Sequence, residues 1–280
     1  MSIISGSAAI STTGSAASFY DFPIGQSLMF DGVGYLKRSV TNASPSYLGF
    51  TLSVWLKIFP DSTDQVILGQ GDGSTDSLVL LQGENRIWYL NRAPAVYHKT
   101  TIEYRDPSAW YHLVVVVASQ YGASDESYRT SIYINNVLVP NNASYVTVDK
   151  ATTINSNNSS YNELHIGRNP YGSSGFWKGY MANMELTHHG IEGADWDGSY
   201  FGETKNGVWV PKTFDGTSST GKNTKAPFYG VNGFRLDFAY DASATTTIKD
   251  VAPLSTQGTG SFSGQTDAHT AANDFTAYGF

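Results

Sequence analysis

Phe50-Thr-Leu-Ser-Val-Trp-Leu-Lys57 is the stretch on which the fold turns. Residues 50, 52, 54 and 56 are apolar while 51 and 53 are polar, the period-two pattern of a half-buried strand. Trp55 falls on the polar side, so that face is either covered or presents its ring to something else. Four more segments have the length and the β-branched or aromatic content of strands. They are Trp110-Tyr-His-Leu-Val-Val-Val-Val117, Ser131-Ile-Tyr-Ile-Asn-Asn-Val-Leu-Val139, Leu164-His-Ile-Gly-Arg168 and Phe176-Trp-Lys-Gly-Tyr-Met-Ala-Asn-Met-Glu-Leu186. Val114 to Val117 does not alternate, which predicts a central strand buried on both faces.

The stretches between read the same way. Leu28-Met-Phe-Asp-Gly32 ends in a turn dipeptide, and Val66-Ile-Leu-Gly69 is a further short strand. Leu78-Val-Leu-Leu81 and Arg86-Ile-Trp-Tyr-Leu90 flank Gln82-Gly-Glu-Asn85 as a hairpin. Asn135-Asn136 suits a two-residue turn, because Asn tolerates positive φ. No longer window has helical periodicity, so an all-β fold is expected.

Both ends differ from this pattern. Residues 1 to 20 are mostly Ser, Ala, Thr and Gly, too poor in apolar side chains to offset the entropy of ordering. After Leu186, apolar residues gather at Gly207-Val-Trp-Val-Pro211 and Gly233-Phe-Arg-Leu-Asp-Phe238, and Asp241 to Phe280 carries little core material. The expected organisation is an N-terminal arm (1–24), a β-sandwich (25–190) and a C-terminal extension (191–280) packed on the sandwich or on a neighbouring subunit.

Composition narrows the chemistry. The 280 residues include no cysteine, which removes disulfides, thiolate catalysis and cysteine-ligated metals. The formal charge is −7 and only 15% of residues are charged, below the usual quarter or so. No Lys/Arg run offers phosphate neutralisation, so nucleic-acid binding is not expected. Leu113 to Val117, the longest aliphatic run, is too short to span a bilayer. Met1 to Ile10 lacks the basic and apolar regions of a signal peptide.

In this order, Leu28–Gly32, Phe50–Trp55, Trp110-Tyr-His112, Ile132–Val137, Leu164–Gly167 and Gly179–Leu186 resemble the laminin-G/concanavalin-A-like superfamily. The resemblance implies an antiparallel two-sheet jelly roll over residues 25–186. His188-His-Gly-Ile-Glu-Gly193, Tyr200-Phe-Gly-Glu-Thr204, Gly207-Val-Trp-Val-Pro-Lys212 and Gly230-Val-Asn-Gly-Phe-Arg-Leu-Asp-Phe238 resemble the tail of laminin-G-like structural proteins of bacteriophages. That likeness implies a non-enzymatic virion component: capsid decoration or head fibre, alternatively a tail fibre. Its partners would be other virion proteins and copies of itself, in a homo-oligomer or symmetric array. Its anchors would be Phe22, Trp209, Phe234 and Phe238.

Two further functions fit such sandwiches. A lectin for host surface polysaccharide would stack sugars on aromatic side chains, with Trp88, Tyr89, Tyr171 and Trp177 as the named contacts and Tyr180 beside them. A glycanase of this superfamily would set alternate carboxylates along one strand, as Glu-x-Asp-x-Glu. No such triplet occurs; Glu185 stands alone before Leu, Thr and His. Gly216-Thr-Ser-Ser-Thr-Gly-Lys222 approaches a phosphate loop, but Asn223 replaces the magnesium-binding hydroxyl and no helix pattern follows. The adjacent pair His188-His189 suits a shared metal poorly, since neighbours on a strand face opposite ways. Asp72-Gly-Ser-Thr-Asp76 and Asp195-Trp-Asp-Gly198 hold oxygen donors for the calcium that many relatives carry at a loop rim, and turn chemistry explains both equally well. No cofactor is expected. Gly-x-Ser-x-Gly and His-Glu-x-x-His motifs are both absent.

Overall fold

The computed structural model describes residues 24–40, 49–92, 96–118, 129–143, 152–154, 156–187, 199–212, 229, 232–239, 247–251 and 274–280. Its strands are β1 (Leu28–Asp31), β2 (Tyr35–Ser39), β3 (Gly49–Ile58), β4 (Gln65–Gly71), β5 (Asp76–Leu81) and β6 (Ile87–Asn91). Next come β7 (Val96–Thr100), β8 (Tyr111–Ala118), β9 (Thr130–Ile134), β10 (Val137–Leu138), β11 (Asn141–Ala143) and β12 (Glu163–Ile166). The last are β13 (Lys178–Thr187), β14 (Gly202–Lys205), β15 (Val208–Pro211), β16 (Phe234–Leu236), β17 (Thr247–Ile248) and β18 (Phe275–Tyr278).

Two antiparallel sheets form a sandwich, as the all-β jelly-roll expectation requires. One has seven strands in the order β1-β13-β3-β8-β9-β10, with β16 also paired to β13; the other has nine, in the order β11-β7-β6-β5-β4-β12-β2-β18-β17. β14 and β15 make a separate hairpin. Asn135 and Asn136 turn the β9–β10 hairpin at φ +50° and +64°, the left-handed geometry that Asn accepts. Gln82 and Asn85 close the β5–β6 turn through their backbone hydrogen bonds.

The main core lies between the sheets. β3 contributes Phe50, Leu52, Val54, Leu56 and Ile58, and β8 contributes Leu113, Val115 and Val117. Burying each such side chain is worth about 1.5–3 kcal/mol. The alternate residues of β8 pack into a second layer on the opposite face, where Val114, Val116, Ala118 and Tyr133 meet Phe201 and Tyr229. β8 is therefore buried on both faces, as its unbroken valines predict. β3 departs from the half-buried expectation: Thr51, Ser53 and Trp55 are buried too, because the C-terminal segment covers their face.

Described strands beyond residue 191 are built into both sheets. β16 extends the first through Leu186↔Phe234, and β18 joins the second through Ala277↔Leu36. Phe234, Leu236, Phe238 and Phe275 all lie in the main core, so the stretch after Asp241 contributes more core than its composition suggests. Buried Arg38 holds the junction. Its guanidinium lies 5.0 Å from the Phe234 ring centre and 5.1 Å from that of Phe275, and it donates to the Asn232 carbonyl. Phe234 and Phe238 were expected to anchor a neighbouring protein; their burial in this chain's own core precludes that. Phe22 lies outside the described residues.

Candidate functional site

Strand alternation divides the nine-stranded sheet into a core face and an outer face. Val79, Leu81, Ile87 and Tyr89 point into the main core. Leu78, Leu80, Trp88 and Leu90 point outward and pack with Val66. Upon this outward cluster the Trp88 ring stacks on Tyr97, with centroids 5.7 Å apart and planes 26° off parallel. The Lys99 ammonium stands 4.7 Å from the Trp88 ring centre and pairs with Glu84 at 2.8 Å. Tyr97 is 42% exposed.

A second element stands at the β4–β5 turn. Tyr171 is 38% exposed, and its hydroxyl accepts a 2.9 Å hydrogen bond from Arg92 Nη2. Arg92 is itself fixed by a 2.8 Å hydrogen bond from Nε to Asp76 Oδ1. Burial raises the Asp76 carboxyl pKa, and Arg92 opposes the shift.

A third group lies on the outer side of β18, β2 and β12. Tyr278 stacks on Tyr35 at 4.9 Å, and Tyr35 on His165 at 5.8 Å. Arg168 caps Tyr35 at 4.3 Å, and Lys37, paired with Glu163 at 2.7 Å, stands 5.5 Å from the Tyr278 ring centre. Flat aromatic surfaces fringed by fixed charged hydrogen-bonding groups can stack the C–H face of a sugar ring and bond its hydroxyls.

Of the four aromatics named from sequence, Trp88 and Tyr171 are on this face. Tyr89 and Trp177 are fully buried in the core, where no ligand reaches. Tyr89 follows Trp88 on the strand and so points inward, edge-on to Phe50 at 5.8 Å. Tyr180 is on the other sheet, edge-on to Phe59 at 5.8 Å. Tyr97, Lys99, Tyr35 and Tyr278 were missed. Their signal is alternation with inward neighbours (His98, Leu36 and Ala277), which becomes readable once pairing is known.

The outer face of the seven-stranded sheet has a different chemistry. Ser53 Oγ lies 2.9 Å from His112 Nε2, and Trp209 Nε1 donates to His112 Nδ1 at 2.9 Å. An indole nitrogen only donates, so Nδ1 is unprotonated and Nε2–H points at the serine. That is the reverse of nucleophile activation, in which the imidazole must accept the hydroxyl proton. Burial pulls His112 down to about 3, keeping it neutral. Trp209, expected as an assembly anchor, holds its own hairpin onto the sheet.

Glu185 is fully buried on the same face, and burial pushes its pKa up to about 7. Tyr229 donates to it at 2.7 Å and Asn183 at 2.9 Å. A glycosidase needs two carboxyls flanking a bond in an open cleft. A single carboxyl sealed under Tyr229 does not supply that.

Asp72 Oδ1 accepts hydrogen bonds from Ser74 N at 2.9 Å and Thr75 N at 2.8 Å, the turn chemistry of the Asp72–Asp76 loop. Asp195–Gly198, His188–His189 and Gly216–Asn223 lie outside the described residues. Among the described residues no cluster of three metal-ligating side chains occurs, and no helix is long and apolar enough to cross a membrane.

Residues 31–191 match the family model described as the concanavalin A-like lectin/glucanases superfamily. No curated protein matches the chain. Among solved structures, a protein of Bacteroides ovatus named as a putative carbohydrate binding protein is similar over 90% of this chain and 59% of its own, with 13% identity and a TM-score of 0.50. The NanB sialidase of Streptococcus pneumoniae matches 62% of this chain and 27% of its own, with 13% identity and a TM-score of 0.46. A CBM40 module of a Ruminococcus gnavus sialidase, bound to α2,3-sialyllactose, matches 60% of this chain and 92% of its own, with 11% identity and a TM-score of 0.43. This chain thus spans less than two thirds of the first protein's length and about a quarter of the second's. At these identities the Bacteroides match is one of fold, and the two lower-scoring matches add no argument.

Proposed function

Because the chain belongs to the concanavalin A-like lectin/glucanases superfamily, we propose that it is a non-catalytic glycan-binding sandwich whose outer nine-stranded face takes the sugar. The observation that carries this is the Trp88–Tyr97 stack beside Lys99, with the Tyr97 ring exposed. Tyr97 and the rim of Trp88 would lie against the C–H face of a pyranose. Lys99 and Arg92, already oriented by Glu84 and Asp76, would donate to its hydroxyls at little ordering cost.

The finer reading places this module on a bacteriophage virion, as capsid decoration or a head fibre, with a tail fibre as the alternative. The likeness of Tyr200–Phe238 to phage structural proteins supports it. An open face holds a sugar weakly, and many copies on one particle turn weak contacts into avidity. The partners would be other virion proteins, further copies of this chain and host surface polysaccharide.

Calorimetry against purified bacterial surface polysaccharides tests the lectin reading. Saturable binding, lost in Trp88→Ala and Tyr97→Ala, is the expected result; no binding to any surface polysaccharide overturns it. Mass spectrometry of purified particles tests the placement. Hundreds of copies indicate capsid decoration, a few dozen or fewer a fibre, and absence from particles removes the virion reading.

A further inference from the structure

Among the described residues, the seven-stranded sheet has a gap in one edge. β13 pairs with β1 over Lys178–Met181 and with β16 over Met184–Leu186. Ala182 and Asn183 have a partner in neither, and the β13–β3 register shifts between Ala182 and Glu185. Such bulges re-aim side chains and gather beside binding sites.

A cleft of about 270 Å³ occupies the gap, lined by Ile24, Gln26, Asn183, Arg235, Asp237 and Ala239. That is a little under the roughly 300 Å³ at which drug-sized pockets begin, and suits one small ring. Two non-glycine residues in the left-handed region flank it, Asn183 at φ +41° and Phe238 at φ +57°. For a bulky aromatic this conformation is costly, and such strain persists where the surroundings enforce it, often at ligand sites. The floor is rigid: Arg235 Nε donates to Asn183 Oδ1 at 3.2 Å while the Asn183 amide donates to Glu185. Among its described lining residues the cleft carries one cation, Arg235, and one anion, Asp237, two positions apart. An anionic ligand would meet Asp237, and a cationic one Arg235.

We propose that this edge cleft binds a neutral, hydroxyl-rich ligand unit of monosaccharide size. Asp237 accepts from its hydroxyls, Arg235 and Gln26 donate to them, and Ile24 and Ala239 cover its C–H face. The site is on the opposite sheet from the Trp88–Tyr97 face and does not depend on the reading of that face.

Saturation-transfer NMR on the full chain tests it, with D-glucose, D-galactose, D-mannose and N-acetylneuraminic acid as probes. At least one neutral hexose should bind saturably. Asp237→Asn should weaken it at least about tenfold, the effect of removing a charged acceptor. That variant should fold normally, because an Asn oxygen can still accept the 2.9 Å hydrogen bond from Ala239 N that Asp237 accepts now. Trp88→Ala should leave hexose binding intact. The inference is overturned if no neutral hexose binds, if Asp237→Asn binds as wild type, or if N-acetylneuraminic acid binds more tightly than every hexose. Hexose binding lost in Trp88→Ala but kept in Asp237→Asn overturns it too, while leaving the sheet-face lectin reading standing.

Discussion

The Trp209 indole donates to His112 Nδ1 at 2.9 Å, while Trp55 stacks on the same imidazole at 4.8 Å. One buried histidine thus ties a C-terminal hairpin to the centre of the first sheet. It also sets the tautomer that directs Nε2–H toward Ser53. This contact, with Phe201 and Tyr229, is why the outer face of the seven-stranded sheet is a second core.

Trp209→Phe keeps the ring and removes the donor, leaving a buried imidazole nitrogen without its partner. We expect a loss of about 1–3 kcal/mol in urea unfolding. An unchanged midpoint would show that the hairpin is held by apolar contact alone.

Acid should destabilise the protein. Burial holds His98 at about 4, His112 at about 3 and His165 at about 4, against 6.5 ordinarily. The unfolded chain protonates these rings near pH 6.5 and the folded one only near pH 4 or below. Their contribution is therefore complete above pH 6.5 and lost as pH falls toward 4, on the order of 2–3 kcal/mol per ring. Glu185 runs the other way, raised from 4.5 to about 7: its contribution is full below pH 4.5 and lost as pH rises through 7. Three rings outweigh one carboxyl. Glu185→Gln should therefore be more stable than wild type at pH 8 and should lose stability more steeply between pH 7 and 5. Parallel pH–stability curves for the two proteins would contradict this.

Gly179 has φ +133°, and a Cβ there would collide with the Lys57 carbonyl oxygen of the neighbouring strand. Gly179→Ala should cost about 3 kcal/mol or more, since backbone must shift to admit it. Circular dichroism melting is sufficient to check this.

At the β9–β10 turn, Asn136 at φ +64° is tolerated but not optimal. Asn136→Gly should gain about 0.5 kcal/mol and Asn136→Ala lose about 1 kcal/mol, following the steric cost of the left-handed region. The reverse ranking would mean that the side chain of Asn136 matters more than its backbone.

Legibility in the sequence followed the range of the forces involved. The unbroken valines of β8 announce burial on both sides, since each residue carries its own evidence. Trp55 was ambiguous because it stacks on His112, and the hairpin that Trp209 fastens to the same ring comes from about 150 residues further along. Trp88 and Tyr89 are equal candidates in composition, and one step of alternation sends one to solvent and the other to the core. Nothing in the sequence says which face is wet until the pairing is known. Phe275 was overlooked for a related reason: a strand added at a sheet margin needs only one buried ring, too little to mark a core segment. The edge cleft was invisible because it arises where two strands stop short of meeting.

β18 has a consequence for how the molecule is made. It occupies the place beside β2, although Tyr35 and its partner Tyr278 are about 240 residues apart in sequence. During synthesis the flank of β2 stays bare until the chain has passed that point. Until then an unpaired margin of the second sheet is open to strands of other nascent copies. Closure by so distant a segment also makes the last step of folding slow relative to the local hairpins. The yield of native protein should therefore depend on temperature and expression rate more than its finished stability suggests.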